Sequence, residues 1–242
     1  MNLLEIKQLS NDVYLLSDKK LGHNNNSIVI LTEEGPIIID VFKDKDQFEE
    51  ILNFIKSKGF NEPNTIIYTH WHIDHTCGNR IFDKCKVLAH ESTYLHLENF
   101  LKNDLDRLKE KKILEKDVSI VMPNQTFTDE LLINISNKTL KLIHCPGHTY
   151  DSILIYNMTD NILIAGDNLI GEEVPFFMPP TIPPDQIDTN SKYLESAFKT
   201  IQNLGVDIIV PGHGEIISAH KMIELNRKRY YKCLAENLKY VD

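Results

Sequence analysis

The sequence predicts an α/β domain of two similar halves that face each other. Short apolar runs of strand length alternate with longer segments whose apolar residues recur at helical spacing. A strand, a side chain of a metal-binding type and a helix follow one another around His70 and again around His213. No linker or low-complexity segment divides the chain, so we expect a single domain over residues 1–242.

The strands are predicted from apolar runs bounded by turn residues. Glu34-Gly35 indicates a hairpin in the first half, and Asn137-Lys138 indicates another in the second half. After Pro123 the apolar residues recur with a period of two, which is typical of half-buried strands. The predicted strands cover 13–16, 27–31, 36–40, 65–68, 87–89, 131–135, 140–143, 152–156, 161–165 and 206–210.

Four helices are predicted from the helical spacing of apolar residues. Asp44 and Gln47 resemble a capping box that opens the first helix, and Gly59 closes it. The second helix is expected to be one long amphipathic helix with a densely charged outer face. The predicted helices after the first cover 92–112, the region near 191–204, and the end of the chain from about residue 223.

Composition and charge restrict the classes of partner. The formal net charge of −9 argues against a nucleic acid, which would require clustered Lys and Arg. No apolar run approaches the length of a membrane span, and the first residues lack the zones of a signal peptide. The four cysteines show no pairing pattern. We therefore expect a cytoplasmic protein with a small-molecule substrate, and the sequence leaves its oligomeric state open.

The strongest chemical signal is a cluster of metal-binding side chains after the strand at 65–68. Side chains two apart point the same way in an extended segment, so His70, His72 and Asp74 are expected to converge, with His75 offset toward a second point. Other candidate ligands each follow a strand, where loops can aim side chains at a common site. These further ligands are His148, Asp167 and His213. Imidazole and carboxylate ligands without thiolate favour zinc, with iron or manganese as alternatives.

Four segments are similar, in order and spacing, to the metal motifs of the metallo-β-lactamase superfamily: His70-Trp71-His72-Ile73-Asp74-His75, Gly147-His148-Thr149, Gly166-Asp167 and Gly212-His213-Gly214. The resemblance implies a four-layer αβ/βα sandwich, in which two mixed sheets are flanked by helices and the site lies at one edge. It also implies two metal ions. The first would be held by His70, His72 and His148, the second by Asp74, His75 and His213, with Asp167 bridging both.

The resemblance implies a hydrolase with two zinc ions per chain that cleaves a small ester, thioester, lactone or amide. A hydroxide shared by the two ions would attack the substrate. Asp74 would be catalytic as well as a ligand, since a ligand carboxylate keeps one oxygen free to carry a proton. Two alternatives remain open: a mononuclear iron persulfide dioxygenase, and a catalytically inactive member that binds metal.

The substrate is not specified by the metal ligands, because members of this superfamily share a site and differ in substrate. Zinc β-lactamases typically have Cys at the position of Asp167 and a substrate-binding Lys at the position of Ile170, where the related lactonases have Tyr. Candidate substrate residues are His23, in a loop near the expected site, and Phe176 and Phe177, in a proline-rich loop. Asp40 could accept a hydrogen bond from a ligand histidine, or act in a turn or a helix cap.

Overall fold

Two β-sheets lie face to face in the computed structural model, which describes residues 3–18, 24–80, 82, 84–112, 120–172 and 187–237. The first sheet has seven described strands, which are adjacent in chain order. They are β1 (Leu4–Gln8), β2 (Val13–Asp18), β3 (Asn26–Ile30), β4 (Ile37–Ile39), β5 (Thr65–Ile67), β6 (Lys86–His90) and β7 (Gln125–Phe127). The strands from β1 to β4 pair antiparallel, and those from β4 to β7 pair parallel.

The second sheet has five described strands in the spatial order β12-β11-β10-β9-β8. They are β8 (Glu130–Ile135), β9 (Lys138–His144), β10 (Ile153–Asn157), β11 (Ile162–Ile170) and β12 (Ile208–His213). Only β11 and β12 pair parallel among them; the other neighbours pair antiparallel. Both sheets are therefore mixed, as the resemblance implied.

The described helices cover the outer faces of the sheets, except for one short helix at the edge of the first sheet. They are α1 (Lys45–Ser57), α2 (Ile73–Thr76), α3 (Glu91–Asn103), α4 (Leu105–Glu110), α5 (Ile187–Leu204) and α6 (Ala219–Asn237). None of these helices is both long and apolar enough to cross a membrane.

Three apolar layers separate the four layers of secondary structure. The period of two along each strand directs alternate side chains to opposite faces. Ile37 and Ile39 of β4 accordingly pack between the two sheets, whereas Ile38 packs outward against the helices of the first half. Phe48 of α1 lies in that outer layer, and Phe198 of α5 lies in the corresponding layer of the second half. This arrangement is the predicted four-layer sandwich.

The structure corrects some of the predicted elements. The helix predicted over 92–112 is two helices, α3 and α4, because the backbone at Asp104 leaves the helical conformation with φ −121°. Two strands were missed. The first, β1, buries only Leu4, so it lacks the alternating pattern of a half-buried strand, and β7 has only three residues. The hairpin at Glu34-Gly35 and the capping pair of Asp44 and Gln47 are confirmed.

Candidate metal centre

Seven candidate ligands from distant parts of the chain meet at one edge of the sandwich. His70 and His72 follow β5, and α2 carries Asp74 and His75. The other three come from the second half: His148 follows β9, Asp167 lies within β11, and His213 ends β12. They form two groups in which the potential ligand atoms lie within 4.8 Å of one another. The first group is His70, His72, His148 and Asp167, and the second is Asp74, His75 and His213.

The grouping corrects the prediction that Asp74 points the same way as His70 and His72. The chain bends at residues 69–71 and enters helix α2 at Ile73, so the strand period of two no longer applies. Asp74 therefore lies with His75 in the second group. This is the grouping that the resemblance implied and the extended-strand argument did not.

Asp167 also lies differently from its prediction, inside a strand rather than after one. Strand β11 continues through Asp167 to Ile170, and its register to β12 shifts on both sides of Gly166. Gly166 has φ +51°, a conformation that glycine adopts without strain. The irregular pairing lets the strand turn the Asp167 carboxylate into the site while its backbone stays in the sheet.

The carboxylate of Asp167 contacts both groups. Its Oδ2 atom lies 3.5 Å from Nε2 of His148 and 3.3 Å from Nε2 of His213. The other oxygen, Oδ1, lies 3.3 Å from Nε2 of His75. Gly212 makes room for this carboxylate, since a Cβ atom at that position would collide with Oδ1 of Asp167.

In the first group, ring nitrogens of His72 and His148 lie close together. Nε2 of His148 lies 3.0 Å from Nδ1 of His72, and the two rings are nearly perpendicular. Two nitrogen ligands of a tetrahedral zinc ion, with Zn–N distances of 2.0–2.1 Å, would lie about 3.3 Å apart. The observed separation is close to that value.

Asp40 connects the two groups from behind the ligands. Its Oδ2 atom lies 2.9 Å from Nδ1 of His75 and accepts a hydrogen bond from the Thr69 hydroxyl at 2.7 Å. That hydroxyl lies 3.0 Å from Nδ1 of His70. Because the hydroxyl hydrogen is directed at Asp40, the hydroxyl can only accept from the His70 ring. Both histidines are thus oriented with Nε2 facing the site, the arrangement of metal-binding histidines held by an outer hydrogen bond.

Whether the site suits a metal ion can be judged from three buried polar atoms at this edge. Nε2 of His70, Nε2 of His75 and Oδ1 of Asp167 are buried and make no hydrogen bond with any residue that the structure describes. Leaving such atoms without partners is costly, and native structures rarely do so without a functional reason. A cation among them would satisfy all three. The donor set of imidazole nitrogens and carboxylate oxygens is the one that divalent zinc, iron and manganese use.

The histidines of the two ligand groups have pKa values shifted in opposite directions. Burial alone would lower the pKa of His213, but the carboxylates of Asp167 and Asp74 raise it to about 10. The pKa of His75 is likewise raised well above its ordinary value, because nearby carboxylates outweigh the effect of burial. In the first group, burial and neighbouring histidines lower the pKa of His70, and burial lowers that of His148 to about 4. Without metal, protons therefore gather on the second group.

The predicted substrate residues His23, Phe176 and Phe177 lie outside the described residues. Ile170 is buried at the end of β11 and pairs in register with His213, so it offers no polar group to a substrate. Cys77 and Cys145 are buried free thiols and belong to neither ligand group.

Two asparagines near the ligands were not singled out by the sequence. Asn168 accepts a hydrogen bond from the backbone N–H of His148 at 2.8 Å, and Asn25 donates to Asp74. The Asn24-Asn25-Asn26 run was the available signal for Asn25, but a polar loop of this kind is common without a functional role.

These features define a class: an αβ/βα sandwich with a histidine and aspartate metal centre at one edge. The chain belongs to the metallo-beta-lactamase superfamily, whose family model matches residues 22–213. It is a metal-dependent hydrolase of that superfamily.

The chain is similar to named hydrolases in sequence and in fold. The chain is 27% identical over 198 residues to a probable metallo-hydrolase of Methanocaldococcus jannaschii, covering 81% of this chain and 90% of the relative. It is 22% identical to a human acyl-coenzyme A thioesterase, over 90% of this chain and 84% of that enzyme. A solved metallo-beta-lactamase from Pontibacter korlensis superposes with a TM-score of 0.72 at 20% identity, covering 94% of this chain and 99% of that one. At that identity the last comparison supports the fold.

Proposed function

We propose that this protein is a dinuclear zinc hydrolase that cleaves a small ester, thioester, lactone or amide. Among these four, we propose thioesters as its substrate class. The observation that carries the proposal is the pair of ligand groups that share Asp167. Oδ2 of Asp167 faces the first group and His213, and Oδ1 faces His75. These contacts support a role for the Asp167 carboxylate in bridging two ions.

The assignment of ligands follows the two groups. His70, His72 and His148 would hold one ion, Asp74, His75 and His213 the other, and Asp167 would bridge them. The second group supports this proposal over a mononuclear iron dioxygenase, because a single-ion enzyme would leave three converging ligands without a role. Zinc is proposed because imidazole nitrogen and carboxylate oxygen are common zinc ligands, and iron and manganese are the alternatives that accept the same donor set.

Two bound zinc ions would lower the pKa of water and stabilise negative charge that develops on the substrate. The residues of the chain supply the remaining functions. Asp40 and Thr69 hold the rings of His75 and His70 in fixed orientations. Asp74 is the proposed proton carrier to the leaving group, since its side chain is 34% exposed and its Oδ1 atom has no hydrogen-bond partner in the described part of the chain.

The thioester class is supported by the name of one relative, the human acyl-coenzyme A thioesterase, which this chain matches over most of both lengths. The absence of a polar side chain at Ile170 argues against the β-lactam and lactone classes, whose enzymes carry a Lys or a Tyr at that position. We also propose a cytoplasmic location, which the free thiols of Cys77, Cys85 and Cys145 support.

A hydrolysis panel on zinc-loaded protein tests the proposal. Acyl thioesters, p-nitrophenyl esters, lactones and nitrocefin are assayed beside the Asp74→Ala variant, and bound metal is measured by mass spectrometry. We expect about two zinc ions per chain and turnover of thioesters, with at least about a 100-fold loss in the variant.

Three outcomes would contradict it. Fewer than about one ion per chain after zinc addition would exclude the metal centre. Iron retention with oxygen uptake on a persulfide would favour the dioxygenase. Two ions without turnover of any substrate would indicate an inactive member.

A further inference from the structure

A short segment from the first half contacts the second ligand group. This asparagine strap, residues 24–26, leads into β3 and lies against the end of β12, so it connects the two sheets at the edge that carries the ligands. Asn26 donates its side-chain amide to the carbonyls of Pro211 and Gly214, both at 2.9 Å. The backbone N–H of Gly214 donates in return to the carbonyl of Asn24 at 2.8 Å.

Asn25 is the member of the strap that reaches the ligands themselves. Its Nδ2 atom donates to the backbone carbonyl of Asp74 at 3.2 Å and to Oδ2 of Asp74 at 3.1 Å. The backbone of Asn25 forms a β-bridge with His213. A single buried residue thereby holds two of the three ligands in the second group.

The orientation of the Asn25 amide is fixed by its partners. Both partner atoms on Asp74 are acceptors, and the amide nitrogen has two hydrogens, one for each. A flipped amide would place an oxygen against two acceptors, so only the observed orientation is favourable. The bond to Oδ2 is accepted by a carboxylate, and hydrogen bonds to charged groups are stronger than those between neutral groups.

We propose that Asn25 is a positioning residue that distinguishes the two carboxylate oxygens of Asp74. Its amide holds Oδ2 inward, where that oxygen lies 3.3 Å from Nε2 of His213 and can bind the second ion. Oδ1 is then the oxygen left for proton transfer. Without this bond the carboxylate can rotate and exchange its two oxygens, which lowers the affinity of the site for the second ion. The inference rests on the proposed dinuclear hydrolase and assigns a residue that its ligand set does not include.

The test replaces the Asn25 amide and measures each ion separately. Asn25→Leu removes both amide donors and keeps a side chain of similar size. The matched control is Asn157→Leu, because Asn157 is also buried and donates Nδ2 to Oδ2 of Asp160, which belongs to neither ligand group. Affinities for the first and second ion are measured by chelator competition, and cobalt substitution reports the ligand geometry by visible absorption. Values of kcat and KM are measured with the substrate that the panel identifies.

We expect Asn25→Leu to weaken the second ion by about 10- to 100-fold, the range found for residues that orient metal ligands, and to change the affinity of the first ion by less than about twofold. The cobalt spectrum of the second site changes, kcat falls and KM is retained. Asn25→Ser, which keeps one donor, recovers part of the second-ion affinity. The Asn157→Leu control retains both ion affinities even where its thermal stability falls.

Two results would overturn the inference. In the first, Asn25→Leu binds the second ion as tightly as the unaltered protein does. In the second, it loses both ions in parallel with thermal stability, and Asn25→Ser behaves in the same way, which is the pattern of a purely structural residue. The unaltered protein is measured first: if it binds only one ion or hydrolyses nothing in the panel, the proposed function fails at that step, independently of any variant.

Discussion

Nδ1 of His75 lies 2.9 Å from Oδ2 of Asp40, a residue 35 positions earlier in the chain. Nδ1 of the ring is therefore held by Asp40, and Nε2 faces the ligand site, where it can bind a metal ion. Asp40 has φ +58°, a left-handed conformation that is unfavourable for most residues and that Asn and Asp tolerate best. A strained backbone at this position is consistent with a functional requirement for the carboxylate.

The first prediction concerns this pair of residues. Asp40→Asn keeps the side-chain shape and tolerates the positive φ, but its amide offers one acceptor instead of two. An amide N–H facing His75 would favour the ring tautomer in which Nε2 carries the hydrogen, and such a nitrogen cannot bind metal. We expect a loss of about 10- to 100-fold in zinc affinity, measured by chelator competition.

The control for Asp40→Asn is Asp160→Asn. This variant removes a carboxylate that pairs with Lys138 at 2.8 Å and that belongs to neither ligand group. That variant should bind zinc normally. Normal zinc binding by Asp40→Asn as well would show that Asp40 only supports the local backbone.

The second prediction concerns the shared carboxylate. Asp167→Asn replaces an anionic ligand that faces both groups with a neutral amide. We expect the bound metal to fall from about two ions to one or fewer per chain, with loss of hydrolysis. Mass spectrometry of the native protein measures the stoichiometry. Retention of two tightly bound ions by this variant would mean that Asp167 does not bridge them.

The third prediction concerns Gly212, beside the Asp167 carboxylate. Gly212→Ala places a Cβ atom where Oδ1 of Asp167 lies, so the carboxylate or the β12 backbone must shift. We expect reduced zinc affinity together with a loss of stability of about 1–3 kcal/mol, typical of overpacking. Chelator competition and urea denaturation measure the two effects.

Gly59→Ala is the matched control for Gly212→Ala. Gly59 has φ +91° and open space around it, so alanine there introduces backbone strain and no collision. It should lower stability by about 1–2 kcal/mol and leave zinc affinity unchanged. A Gly212→Ala protein that behaved like this control would contradict the predicted collision.

The fourth prediction concerns the pH dependence of the metal-free protein. Nearby carboxylates raise the pKa of His213 to about 10 in the folded state, against about 6.5 in the unfolded chain. The resulting stabilisation is complete below pH ~6.5 and is lost as the pH rises toward about 10. His70 and His148 have lowered pKa values and act in the opposite direction, destabilising the fold as the pH falls below ~6.5. Stability should therefore be greatest near neutral pH and decline on both sides.

Urea denaturation at several pH values, with chelator present, measures this profile. Buried thiols add to the decline at high pH, because burial raises their pKa values to about 12. His213→Gln isolates the histidine contribution, since it leaves the thiols intact. The decline between pH ~7 and ~10 should be shallower in this variant. Identical slopes in the two proteins would show that His213 does not carry the raised pKa.

The sequence predicted the seven candidate ligands, because local patterns carry that information. Each of the seven candidate ligands has a metal-binding side chain beside a predicted strand or within the opening motif, and parallel strand ends meet at one edge of a sheet. The structure brings all seven together. Period and propensity likewise predicted most strands and the capping of α1, but not β1, whose side chains are mostly exposed, or the break at Asp104.

Tertiary structure decided how those residues are arranged. Asp74 joined the second group because α2 begins at Ile73, directly after His72, so the strand period of two no longer applies. The bonds of Asn25 to Asp74 and of Asp40 to His75 span 49 and 35 positions of the chain. No local pattern contains such pairs, since they depend on which strand ends become neighbours when the two sheets pack. Orientation of the ligands is therefore a property of the fold, whereas their chemical identity is a property of the sequence.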